Sequence, residues 1–114
     1  MHILTTHSGK AIQLEWGTYA MFLYCEKKGI DLKGFGEQMA SMQFDMGVLI
    51  SMLQIAVKAT GQPEPDIKEA CDWIDDCGGM LATTGPLHDF INYVIKRTVL
   101  NTSDAETEEK KNQS

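Results

Sequence analysis

The sequence is short of the groupings from which metal and catalytic sites are built. Its cysteines, Cys25, Cys71 and Cys77, form no Cys-x-x-Cys pair, and His2, His7 and His88 show no zincin spacing. His2 and His7 are an odd number of residues apart, so a strand points them to opposite faces. Cys71 and Cys77 stand roughly 240° apart around a helix and do not converge. Closed zinc sites need tighter spacing, and cysteines acting as small buried hydrophobes are the simpler reading. Cys25 with His7 or His88 could be drawn as a dyad. It falls in an apolar helix, however, where burial raises a thiol pKa, and a nucleophile needs the opposite. Gly34-Phe-Gly36 lacks the third glycine of a dinucleotide loop, and no Lys-Ser or Lys-Thr follows Gly78-Gly79. Asp72, Asp75 and Asp76 fit no calcium-loop pattern and read as a solvated face. No enzyme, cofactor or metal is expected.

Long hydrophobic runs are also missing. The most apolar stretch, Met46 to Ala59, is interrupted by Ser51, Gln54 and Lys58 and is too short to span a bilayer. Met1 to Lys10 has no apolar core or small-residue cleavage site. With an odd cysteine count, this predicts reduced thiols and a cytoplasmic location. Positive charge is the third shortage. Ten Lys and Arg against sixteen Asp and Glu give a net charge of −6. A surface of that sign repels phosphate, so nucleic acid and membrane are poor partners.

What is present is a core. The chain has 114 residues, 43% of them hydrophobic, which suits one domain without staples. The fold class is mainly α, with an N-terminal β-hairpin followed by four to five packed helices and a disordered acidic C-terminal tail. Residues 2–7 and 10–15 flank Ser8-Gly9, and Ile12, Leu14 and Trp16 alternate with Gln13 and Glu15, as in a hairpin. A lone hairpin is marginal, so it must lean on the helices.

A first helix is predicted over about 18–28, with Trp16, Tyr19, Ala20 and Leu23 inward and Gly29 as its stop. A short second helix is predicted over about 35–42, delayed by Gly34 and Gly36. The third begins at Asp45 and ends by Gly61. Its apolar stripes, Met46-Leu49-Ile50-Leu53-Val57 and Val48-Met52-Ile55-Ala59, mark a central helix. After Gly61-Gln-Pro-Glu-Pro65, Asp66 precedes a fourth helix with Ile67, Ala70, Cys71, Ile74 and Cys77 inward, stopped by Gly78-Gly79. Pro86 starts the last helix, with Leu87, Phe90, Ile91, Val94 and Thr98 on one face. Residues 1–100 thus form one helical domain with its hairpin. Residues 101–114, with Ala105 as their only apolar side chain, are predicted to be a disordered tail.

Seven methionines stand out, because methionine adapts to varied apolar partners. Met46 and Met52 read as core filling. Met39 and Met42, beside a glycine-weakened segment, are the better candidates for a binding lip. Trp16 and Trp73 are natural anchors where exposed, and Trp73 stands off the Ile67-Cys71-Ile74 stripe. The candidate partner-binding residues are therefore Trp16, Met39, Met42 and Trp73.

The run Ile12-Gln-Leu-Glu-Trp-Gly-Thr-Tyr-Ala-Met-Phe22 carries a strand into a helix through a glycine, and Leu23-Tyr-Cys-Glu-Lys-Lys-Gly-Ile30 ends that helix. Leu49-Ile-Ser-Met-Leu-Gln-Ile-Ala-Val-Lys-Ala59, a proline turn and Ile67-Lys-Glu-Ala-Cys-Asp-Trp-Ile-Asp-Asp76 follow. Over about residues 10–95 this order resembles the tail assembly chaperones of long-tailed bacteriophages. The resemblance implies a helical chaperone, absent from the finished virion, that binds the tape-measure protein and helps recruit tail-tube subunits. It implies no catalytic set. Self-association is compatible with it. The alternatives are a structural or adaptor component retained in a phage particle, and a small acidic regulatory binding protein.

Overall fold

The computed structural model describes residues 1–42 and 45–100. The tail expected over 101–114 lies outside them. Strands β1 (His2–Thr5) and β2 (Ala11–Leu14) pair antiparallel, with His2 opposite Leu14 and Leu4 opposite Ile12. Alternation puts Leu4, Ile12 and Leu14 on the buried face. The connection turns at Gly9, whose φ of 94° is open to glycine without strain.

Two backbone bonds dock this hairpin. Glu15 N–H donates to the Ala56 carbonyl at 3.0 Å, and His7 N–H donates to the Asp76 carbonyl at 2.8 Å. Both acceptors lie at the C-terminal ends of helices, where carbonyls lack intrahelical partners. The hairpin therefore satisfies helix ends as well as burying its own face.

Five helices follow among the described residues: α1 (Thr18–Lys28), α2 (Leu32–Ala40), α3 (Met46–Lys58), α4 (Ile67–Asp75) and α5 (Pro86–Ile95), which runs on into a π-helical turn over Lys96–Leu100. Their ends follow from local chemistry. Asp31, Asp45 and Asp66 are N-caps whose carboxylates accept from the N–H groups of Gly34, Val48 and Glu69. Gly29, in the left-handed region, closes α1 as expected.

Helix α3 is the hub. Every residue from Val48 to Val57 is buried, and α1, α4 and β2 pack around it. Helix α5 packs on β1, so both ends of the described chain meet. One core cluster draws on both strands and all five helices. Buried Gln54 sits inside it, donating from its amide to the Pro65 carbonyl at 2.9 Å and accepting from Lys27 Nζ at 2.8 Å. Lys27 also pairs with Glu64 at 3.1 Å. The interruption that Gln54 makes in an apolar helix thus ties α1 to the proline turn.

Three helical faces depart from the expected stripes. In α1 the buried line is Trp16-Ala20-Tyr24, and Tyr19 is exposed. Phe35 of α2 causes this rotation. Its ring meets Tyr24 edge-on at 5.7 Å and stacks near Trp16 at 6.2 Å. Helix α2 itself starts three residues earlier than expected and ends at Ala40, because the Asp31 cap outweighs the glycine penalty. Met46 and Ile67, read as inward, are 60% and 64% exposed. Each is the first residue of its helix, with helical neighbours on one side only.

Candidate functional site

Helices α3 and α4 are joined by a short proline-containing turn and run antiparallel. The first turn of α3 therefore comes alongside the last turn of α4. There Met46 and Ile50 of α3, Cys71, Ile74 and Asp75 of α4, and Met80 line a cleft of about 240 Å³. Gly78 and Gly79, with φ of 102° and 91°, end α4 and swing the chain round to place Met80. The lining is five apolar or sulfur-bearing side chains and one carboxylate. Two of them are methionines, whose unbranched thioethers re-pack at little cost. Leu81, next to Met80 in the chain, is 90% exposed, and Ile67 continues the Cys71-Ile74 line along α4.

The opposite side of α4 carries a second recess. Cys71 and Trp73 lie about 200° apart around the helix. Trp73 lines a recess of about 300 Å³ together with Ile12, Val57 and Pro63, between Lys10 and Glu69. The Lys10 ammonium stands 5.2 Å from the centre of the Trp73 ring, within cation–π range. Trp73 is half-buried, and so is Met39, which packs against the edge of the core.

The other two candidate residues are interior, which corrects the expectation of Trp16 as an exposed anchor and of Met42 as part of a binding lip. Trp16 is fully buried. Its indole N–H donates to Thr98 Oγ1 at 2.8 Å, its backbone N–H donates to Tyr93 Oη at 3.1 Å, and its carbonyl accepts from Arg97 Nε at 2.9 Å. All its hydrogen-bonding capacity is thus used to seat α5 and the π-turn. Met42, just past α2, is 1% exposed and fills the core. Of the cleft residues, the sequence reads Met46 as core filling and does not single out Met80. One signal could have marked Met46: a residue directly after an N-cap occupies the open first turn.

Titratable groups are set for structure. Burial, then the charges of Asp31 and Glu26, push the Cys25 thiol up, and burial with Asp76 does the same for Cys77. Among the described residues neither His7 nor His88 bonds to Cys25, whose Sγ lies 3.9 Å from the Asp31 carbonyl oxygen. Burial, with the Asp45 charge second, pushes the Tyr24 phenol up to about 12, and its hydroxyl bonds to Gln38 Oε1. Asp76 is held low by hydrogen bonds from the Ser8 and Thr6 side chains. His2 is lowered by burial against its stacking partner Tyr93, 4.8 Å away.

Among the described residues no three His, Cys, Asp or Glu side chains converge as a metal would require, and no helix is long and apolar enough to cross a membrane. Comparison with known protein families, curated proteins and solved structures returns no match.

Proposed function

We propose that this chain works by binding another protein, as a tail assembly chaperone of long-tailed bacteriophages in the host cytoplasm. The observation that carries the binding reading is the α3–α4 cleft. An apolar recess lined by Met46, Ile50, Cys71, Ile74 and Met80 suits side chains spaced along a partner helix. The phage role rests on the order of features over residues 10–95. In that role the partner is the tape-measure protein, a long helical chain, to which the chaperone would help recruit tail-tube subunits. A net charge of −6 keeps the free chaperone soluble while its cleft is open.

The test is co-expression with the tape-measure protein encoded in the same genome, followed by size-exclusion chromatography. The two should co-elute, and Met46→Glu should abolish the complex. Met46 is exposed at a helix N-terminus, where a carboxylate is favourable, so the variant keeps its fold. Mass spectrometry of finished particles should not detect the chain. A soluble tape-measure protein that elutes alone would refute the role, and presence in particles would favour a retained component.

A further inference from the structure

Three carboxylates crowd the C-terminal end of α4, where the helix dipole is negative and acidic side chains are disfavoured. Two are accounted for. Asp72 pairs with Lys68 at 3.0 Å. Asp76 accepts from the Ser8 backbone N–H and hydroxyl and so holds the hairpin turn. The Asp75 carboxylate has no hydrogen bond or ion pair among the described residues. Asp75 is exposed, and among the described residues it is the one charged residue lining the α3–α4 cleft. A cation set beside Asp75 by a partner would offset the repulsion between this carboxylate and the helix dipole.

The geometry points to a two-part partner motif: an amphipathic helix that inserts apolar side chains between Met46, Ile74 and Met80 and sets a Lys or Arg beside them against Asp75. This rests on the protein-binding reading above and names the chemistry of the partner. Charge complementarity selects the occupant. Asp75 and the carbonyl end of α4 both favour a cation at this lip, and among the described residues no Lys or Arg lines the cleft. The apolar line from Ile67 through Cys71 to Ile74 rises about 10 Å along α4, so anchors two helical turns apart on the partner would match it.

The probes are two synthetic amphipathic helical peptides of about 15 residues, long enough to hold helix when bound. Both carry Leu anchors two turns apart. One has Lys flanking the anchors and its twin has Glu. Binding to the full chain is read from the 13C-methyl resonances of its methionines, with buried Met52 as internal control. The Lys peptide should shift the Met46 and Met80 methyls and leave Met52 unmoved. It should bind roughly two- to five-fold more tightly than its twin, as a rim ion pair allows. Asp75→Asn should bring that ratio close to one, and added salt should narrow it.

Equal binding of the twins at the cleft would overturn the charge assignment. A preference that survives Asp75→Asn would also overturn it, tracing the attraction to net charge. If neither peptide moves Met46 or Met80, the motif is wrong. Co-elution with the tape-measure protein remains a separate measurement, so either reading can fail without the other.

Discussion

Replacing Thr98 with Val keeps the side-chain shape and removes the acceptor of the Trp16 indole N–H. Trp16 is fully buried, so its donor is left without a partner. Orphaning a buried donor costs about 1–3 kcal/mol. Thr98 is only half-buried, which lets water approach from one side and places the cost near the lower end, about 1–2 kcal/mol. For a domain near this size each kcal/mol is worth about 4–8 °C, so the melting temperature should fall by roughly 4–16 °C.

Trp16→Phe loses the same bond and some packing, and should cost about 2–4 kcal/mol. The two substitutions share one interaction, so the double variant should be less destabilised than the sum by about 1 kcal/mol. Urea unfolding followed by circular dichroism measures all three variants. Additivity within about 0.3 kcal/mol would refute the coupling and the seating of α5 through Trp16. A Trp16→Phe variant of unchanged stability that lost partner binding would instead restore Trp16 as a surface anchor.

Gly36→Ala in α2 meets no atom within 4 Å and should stabilise by about 0.5–1 kcal/mol, whereas Gly34→Ala places its Cβ 3.1 Å from Ile30 Cβ and should gain nothing or lose stability; thermal melts compare them, and equal gains would refute the crowding at Gly34. Gln54→Leu strands the buried Pro65 carbonyl and should cost about 1–3 kcal/mol by urea unfolding, where a gain in stability would show that the bond from Gln54 contributes nothing. The folded-state pKa of Asp76 lies below its ordinary 3.8, so its contribution is fully present above that pH and is lost as pH falls through the lower folded value. Asp76→Asn should therefore flatten the acid limb of a stability–pH profile below about pH 4, and an unchanged limb would refute the Ser8 latch.

Much of the local structure was legible in the residues. Helix ends depend on groups a few positions apart, so Asp45, Asp66, Gly29 and Pro86 mark boundaries that the fold keeps. The alternation of Ile12 and Leu14 likewise identified a strand with one buried face. Periodicity also singled out α3 as central, because two apolar stripes leave it apolar on most sides, as suits a helix surrounded by others.

Tertiary structure decided what periodicity leaves open. Which arc of α1 turns inward was decided by Phe35, a residue from another helix, which claims Tyr24 and leaves Tyr19 in solvent. The cleft was illegible for the same reason. Met46, Cys71, Asp75 and Met80 are far apart in the chain and meet only because α3 and α4 run antiparallel and the Gly78-Gly79 turn returns Met80 to their ends. Composition could say that adaptable side chains were available. Exposure is a property of neighbours, and it placed Trp16 and Met42 inside while leaving Met46 at a surface.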